Sequence, residues 1–62
     1  MVSQEIYDRM LAIIGADPGI RPRDLNRQLG LEHSNHYRQT LIKRGLIRKE
    51  RHGSAVYYYP VV

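Results

Sequence analysis

Three glycines divide most of this 62-residue chain into short segments, and that division limits the folds it can adopt. The segments before Gly30 and Gly45, from Arg23 to Leu29 and from Glu32 to Arg44, have apolar residues at helical spacing. Glycine ends helices readily because it adopts the left-handed conformation without steric cost. Gly53 lies between two segments whose composition is typical of strands. The pattern therefore predicts two short helices followed by a hairpin.

The segment after Gly45 has the composition of a β-hairpin. The first strand is predicted from Leu46 to Arg51 and the second from Ala55 to Tyr59, with a turn at His52-Gly53-Ser54 between them. The leucine and isoleucine that open the first strand should return the chain to the core. Pro60 has no amide hydrogen, so the sheet should end near it.

Three consecutive tyrosines, Tyr57 to Tyr59, lie in the second strand. Because side chains alternate across a strand, Tyr57 and Tyr59 should share one face and Tyr58 should take the other. At least one of these faces should pack against the first helix of the chain. An exposed tyrosine could also stack on unpaired bases, although tyrosine is a common strand residue in any case.

A helix near the start of the chain is predicted to follow Ser3, which is a good N-cap. Gly15 and Asp17-Pro18-Gly19 should end this helix and form a loop. Further along, Pro22 favours the first position of the next helix and biases Arg21 toward an extended conformation. The apolar residues of the first helix recur at helical spacing and include Ile6, Met10, Ile13 and Ile14.

The length of the chain allows one domain, predicted to span residues 1–62. A chain this short buries about 60% of its unfolded surface, so its stability should be modest. The absence of cysteine excludes a disulfide framework and suits an intracellular protein. No apolar run approaches the roughly 18 residues of a membrane span, so we expect no membrane partner.

The basic residues are concentrated after residue 19. Residues 1–19 contain one arginine and three acidic residues, whereas residues 20–62 contain nine lysines and arginines and three acidic residues. This asymmetry is typical of a surface that binds phosphates, because each cation near a phosphate releases a counterion. A basic surface is also common among small soluble domains, so charge alone does not decide the function.

The segment from Leu41 to Glu50, LIKRGLIRKE, resembles the junction between the third helix and the wing of many bacterial repressors. Those domains commonly carry Leu-x-x-x-Gly-Leu-Ile followed by charged residues. The segment from Arg21 to Gly30 is similar to their usual second helix. From Ser3 to about Pro60, the chain thus resembles the winged helix-turn-helix family of DNA-binding domains. The resemblance implies an α+β fold of three helices with a C-terminal β-hairpin wing, and a short strand at Ile20-Arg21 that pairs with the hairpin.

Two related groups share parts of this pattern. The same junction resembles domains that bind left-handed Z-form nucleic acid. Counted back from Gly45, Asn35 matches their DNA-contacting asparagine, whereas Gln39 stands in place of their tyrosine. The turn after Gly30 is about two residues shorter than in most such repressors. In that respect the chain is similar to the DNA-orienting domain of FtsK-type translocases.

The resemblance implies sequence-specific binding of double-stranded DNA, as by a transcriptional regulator. The helix from Glu32 to Arg44 would enter the major groove, and the wing from Arg48 to Ala55 would contact the backbone or the minor groove. Asn35, His36 and Gln39 are favoured to read base edges, because asparagine and glutamine each form two hydrogen bonds with adenine. The predicted DNA-binding residues are Arg21, Arg23, Glu32, His33, Asn35, His36, Arg38, Gln39, Lys43, Arg48, Lys49, Arg51 and His52.

The sequence leaves other binding functions open. The polar helix face and the basic hairpin could be ordinary solvated surfaces, since lysine and arginine also protect edge strands. Winged helices also serve as protein-interaction modules. An RNA binder or a Z-form binder is a further alternative. A homodimer could form through the first helix or the C-terminal strand.

Catalysis and metal binding have little support in the sequence. There is no cysteine nucleophile and no glycine-rich loop that would hold phosphates. His33, His36 and His52 could contribute to a metal site, but zinc sites usually use four ligands with cysteine or carboxylate among them. We therefore expect no enzyme activity, no metal and no cofactor. The expected location is the cytoplasm, in association with a prokaryotic, archaeal or viral nucleoid.

Overall fold

A computed structural model describes residues 3–61, which form three helices followed by a two-stranded antiparallel hairpin. In chain order the elements are α1 (Ser3–Ala16), α2 (Pro22–Leu29), α3 (Asn35–Lys43), β1 (Ile47–His52) and β2 (Ala55–Pro60). This is the predicted α+β class, in a winged-helix-like arrangement. The predicted capping contact of the Ser3 side chain lies outside the described part of the chain. Within residues 3–61, no helix is both long and apolar enough to cross a membrane.

The core lies between the helices and one face of the hairpin. The stripe of apolar residues along α1 faces inward, as predicted, although Ile13 is only partly buried. Burial of one large apolar side chain contributes about 1.5–3 kcal/mol, so this cluster is the main source of stability. The buried apolar residues are Ile6, Met10, Ile14, Ile20, Leu25, Leu29, Leu41, Ile47 and Tyr58.

The predicted start and end of α2 are confirmed. Pro22 is its first residue. An amide hydrogen at this position has no acceptor within the helix, so proline can lack it without cost. Arg21 before it is extended, with φ −84° and ψ 153°. Gly30 follows the last residue of the helix in the left-handed conformation, with φ 71°. Its amide donates a hydrogen bond to the carbonyl oxygen of Arg27.

α3 begins at Asn35, so the predicted start at Glu32 is wrong. The cause is the Asn26 side chain, which holds the chain between α2 and α3 in a longer turn. Asn26 Nδ2 donates to the carbonyl oxygen of Glu32 at 3.3 Å, and Asn26 Oδ1 accepts a hydrogen bond from the Ser34 hydroxyl. Ser34 is therefore the N-cap residue of α3. The turn between α2 and α3 thus runs from Gly30 to Ser34 and is longer than the predicted start at Glu32 implied.

The connection from α3 to the hairpin also differs from the prediction. α3 ends at Lys43, one residue earlier than predicted. Ile47 is buried and opens β1, but Leu46 is 42% exposed, so the prediction that it returns to the core is wrong. After the left-handed Gly45, the amide of Leu46 donates to the carbonyl oxygen of Leu41 at 3.0 Å. This bond closes the helix end and leaves the leucine side chain outside.

β1 and β2 are joined by the two-residue turn Gly53-Ser54. His52 therefore belongs to β1, and the prediction that it forms part of the turn is wrong. Gly53 has φ 63° at the first central position of the turn, where tight hairpins favour glycine. β2 ends at its proline, as predicted. Ile20 forms a single antiparallel bridge with Tyr58, which confirms the short pairing segment before α2.

Candidate nucleic-acid interface

The exposed face of α3 carries a row of polar and basic side chains. Asn35, His36, Gln39 and Lys43 are all exposed, as expected of residues that contact a partner. On the opposite side of the helix, Leu41 is fully buried. α3 contains no acidic residue, so this row presents hydrogen-bonding groups and positive charge to the solvent.

Asn35 and Gln39 lie side by side in this row. They are four residues apart, and Gln39 Nε2 donates to Asn35 Oδ1 at 3.4 Å. The bond is long and exposed, so either amide can exchange it for another partner at little cost. Each amide offers the donor and the acceptor that an adenine edge requires.

The register of the hairpin divides its side chains between two faces. Directly opposed residues of an antiparallel pair point to the same side of the sheet. Lys49 pairs with Tyr58, and Arg51 pairs with Val56. Because Tyr58 is buried against the helices, Lys49 and Arg51 lie on the face turned toward the helices, called here the helix-side face. Both cations are nevertheless exposed to solvent.

Arg38 connects α3 to the helix-side face. Its Nη1 donates to the hydroxyl oxygen of Tyr58 at 2.8 Å, and its guanidinium carbon lies 5.3 Å from the centre of the Tyr58 ring. Arg38 is half-buried and does not join the exposed row of α3, although the sequence placed it among the DNA contacts. The helical spacing of Arg38 indicates that it turns toward the core, because it lies four residues after Ser34 and three before Leu41, both of which are buried.

Arg38 thus links α3, whose exposed face is polar and basic, to the hairpin face that carries Lys49 and Arg51. Residues 35–49 contain five lysines and arginines and no acidic residue. Glu50 comes next, but it points to the other face of the hairpin, where its Oε1 is 2.9 Å from Arg48 Nη1. A cationic surface of this kind attracts phosphates. The α3–wing surface is defined by Asn35, His36, Gln39, Lys43, Lys49 and Arg51.

The outer face of the hairpin carries a different set of residues. The guanidinium carbon of Arg48 is 4.4 Å from the centre of the Tyr59 ring, and the His52 ring is 5.6 Å from the Tyr57 ring. The hairpin thus places Arg48 and His52 on the opposite face from Lys49 and Arg51. The sequence had predicted that all four act together. The outer face consists of Arg48, Glu50, His52, Tyr57 and Tyr59.

A groove of about 470 Å³ lies between the start of α2 and the wing turn. The guanidinium carbon of Arg21 is 5.5 Å from the centre of the Tyr57 ring. Asp24 forms an ion pair with Arg27 at 2.8 Å. Arg23 is exposed, and it forms no ion pair with any residue from 3 to 61. The groove is lined by Arg21, Pro22, Arg23, Asp24, Arg27, Ser54 and Val56.

The groove places Arg27 of α2 and Ser54 of the wing turn beside each other. No local pattern brings them together, because they meet only when the hairpin folds back beside α2. Conversely, the predicted contacts Glu32 and His33 are exposed but lie in the turn before α3. In the described part of the chain, no three His, Cys, Asp or Glu side chains are arranged to hold a metal ion.

Comparisons with protein families, characterised proteins and solved structures give no significant match for this chain. The fold and the placement of its charged and polar side chains are therefore the basis for a function.

Proposed function

We propose that this chain binds double-stranded DNA as a winged helix-turn-helix domain and acts as a transcriptional regulator. The observation that carries the proposal is the contact of Arg38 on α3 with Tyr58 on β2, which joins a helix with an exposed polar face to the hairpin face that carries two exposed cations. A helix fits the major groove of B-form DNA, which is about 12 Å wide. A basic hairpin beside that helix fits the flanking backbone or the minor groove.

In the proposed complex, α3 reads base edges in the major groove. Asn35 and Gln39 bond adenine, and His36 donates to guanine or to a phosphate. The nine residues of α3 are roughly 13 Å long, which corresponds to about four base pairs. One subunit therefore recognises a short site.

The wing contributes affinity without sequence preference. Lys49 and Arg51 are exposed and lie on the face turned toward α3, so they can reach phosphates beside the same major groove. Each phosphate contact releases a counterion, so the affinity should fall steeply with salt.

A salt series of fluorescence anisotropy with a labelled duplex tests the proposal. Arg51 and Arg48 are a matched pair, because they lie on one strand and on opposite faces. R51A should weaken binding to all sequences and reduce the salt slope by about one, whereas R48A should leave both unchanged. Equal effects of the two substitutions, or duplex binding that does not respond to salt, would contradict the proposal.

Competition experiments separate B-form DNA from the other nucleic acids that the sequence left open. The major groove of an RNA duplex is too narrow for a helix, so RNA should compete poorly. Z-form binding is also less favoured, because Gln39 replaces the tyrosine of that group. Stronger competition by Z-form or RNA duplexes than by B-form DNA would assign α3 a different ligand.

A second function, self-association, is favoured by an apolar pair at the base of the hairpin. Leu46 is 42% exposed and Val61 is 49% exposed, and the amide of Val61 donates to the carbonyl oxygen of Leu46. A dimer formed through this pair would double the short DNA site of one subunit. Sedimentation equilibrium should give a dimer mass for the native chain and a monomer mass for L46E.

A further inference from the structure

We infer that the chain has a second nucleic-acid site, on the outer face of the hairpin and in the adjoining groove, and that this site binds single strands. Its two aromatic rings lie on the other side of the hairpin from Lys49 and Arg51, while the groove extends to Val56, which pairs with Arg51. Stacking on these rings therefore does not depend on duplex binding by the α3–wing surface.

Tyr57 and Tyr59 provide two partly exposed aromatic rings on the outer face. Their neighbour Tyr58 is buried and points to the helices, so the two rings look away from the core. Two residues of a strand span about 7 Å. This is about twice the 3.4 Å step of stacked bases, so the rings suit two splayed bases better than a continuous stack.

An arginine accompanies each of these rings. Arg21 lies 5.5 Å from the centre of the Tyr57 ring, and Arg48 lies 4.4 Å from that of Tyr59. An exposed cation–π contact changes an equilibrium constant by a factor of about two to five. A base stacked on an aromatic side chain is worth about five- to 150-fold. A base can therefore displace the arginine from its ring, and the guanidinium can then bind a phosphate.

The groove beside the wing turn can hold the backbone of the same strand. Arg21 lines the groove and also contacts Tyr57, so it joins the two parts of the site. Arg23 is exposed in the groove, and Arg27 adds a third cation that it shares with Asp24. A cationic groove next to successive aromatic rings is the combination that binds single-stranded nucleic acid.

One carboxylate on the outer face gives the site a base preference. Glu50 is opposite Tyr57 in the register and forms an ion pair with Arg48. A carboxylate repels phosphates, but it accepts a hydrogen bond from the amino group of cytosine. We therefore expect oligo-dC to bind more tightly than oligo-dT, and E50Q to reduce that difference.

The experiment measures single-strand and duplex affinities in parallel by fluorescence anisotropy. The probes are oligo-dC and oligo-dT of about a dozen nucleotides, and a mixed-sequence duplex. Y57L removes the ring and should lower single-strand affinity at least about five-fold, whereas Y57F keeps the ring and should retain it. Neither substitution should change duplex affinity. R51A should lower duplex affinity and leave single-strand affinity unchanged.

R23A keeps the test valid if Y57L lowers the stability of the fold, because Arg23 is exposed. It should weaken single-strand binding and reduce its salt slope by more than it weakens binding of the duplex. Three results would overturn the second site: no single-strand binding by the native chain, equal single-strand affinities of the native chain and R23A, or equal losses of R23A on both probes. Failure of duplex binding alone would remove only the proposed function.

Discussion

Arg38 on α3 and Tyr58 on β2 hold the recognition helix and the wing together through one side-chain contact. Arg38 Nη1 donates to the Tyr58 hydroxyl oxygen at 2.8 Å, and Tyr58 is 2% exposed. Arg38 Nε is buried and has no hydrogen-bond partner in the described part of the chain. The hydroxyl of Tyr58 thus supplies the acceptor for a guanidinium that is already incompletely paired. This contact joins α3 to the strand residue that pairs with Lys49 on the helix-side face.

Removal of the Tyr58 hydroxyl should destabilise the fold. Y58F keeps the ring and its packing but takes away the acceptor for Arg38, and a hydrogen bond to a charged group is worth about 1.5–3 kcal/mol. Urea unfolding followed by circular dichroism measures the change in the free energy of unfolding. Y59F is the matched control on the outer face and should change it by less than about 0.5 kcal/mol. A Y58F variant as stable as the native chain would show that the contact does not hold α3 and the wing.

Asn26 should determine where α3 begins. N26A removes both side-chain bonds of the turn and leaves the Ser34 hydroxyl, on a residue 1% exposed, without that partner. A buried polar group without a partner costs about 1–3 kcal/mol, so the free energy of unfolding should fall by that amount. In a double-mutant cycle, S34A should add little to N26A, because both remove the same bond. N35A, on the exposed face of the same helix, is the control, and full additivity of N26A and S34A would refute the role of Asn26.

Two glycines should respond to alanine in opposite directions. Gly30 has φ 71°, and nothing lies within 4 Å of a Cβ placed there, so G30A meets only the backbone penalty of about 1–2 kcal/mol. Gly15 does not end α1 as predicted, because the helix continues to Ala16. It has similar free space, and G15A should stabilise the chain by about 0.5–1 kcal/mol. For a domain of this size, 1 kcal/mol corresponds to about 4–8 °C in Tm. Thermal unfolding should therefore give a lower Tm for G30A and a higher Tm for G15A. Shifts of the same sign would contradict the left-handed backbone of Gly30 or the helical backbone of Gly15.

The features that local sequence determines were predictable. Pro22 and Gly30 limit α2 through their own backbone preferences, and the alternation of a strand places Tyr58 inward. The features that depend on distant residues were not. Nothing near Glu32 indicates that the Asn26 side chain holds it out of α3, because the two hydrogen bonds form only after the turn closes. The groove was missed for the same reason, since Ser54 reaches α2 only through the pairing of the hairpin.

The division of the wing cations between two faces could have been derived from alternation alone, as it was for the tyrosines. Lys49 and Arg51 are two and four residues after the buried Ile47 and so share its face of the strand. Arg48 is next to Ile47 and points to the other face. The direction of the whole wing relative to α3 could not, because it depends on the contact between Arg38 and Tyr58. The sequence thus identifies the cations of the candidate site, and the fold decides which of them act together.

Gln39 should control base preference more than overall affinity. It is exposed on α3, and its only side-chain bond in the described chain is the 3.4 Å contact to Asn35, which a base edge can replace. A bidentate amide contact to adenine is worth about 1–3 kcal/mol of discrimination against the wrong base. Selection of bound fragments from a random DNA pool should therefore give a site with one relaxed position for Q39A. R51A should select the native site at lower affinity, since its contact is to phosphate. If Q39A weakens all sequences equally, α3 does not read bases through this residue, and its amide serves only to position Asn35.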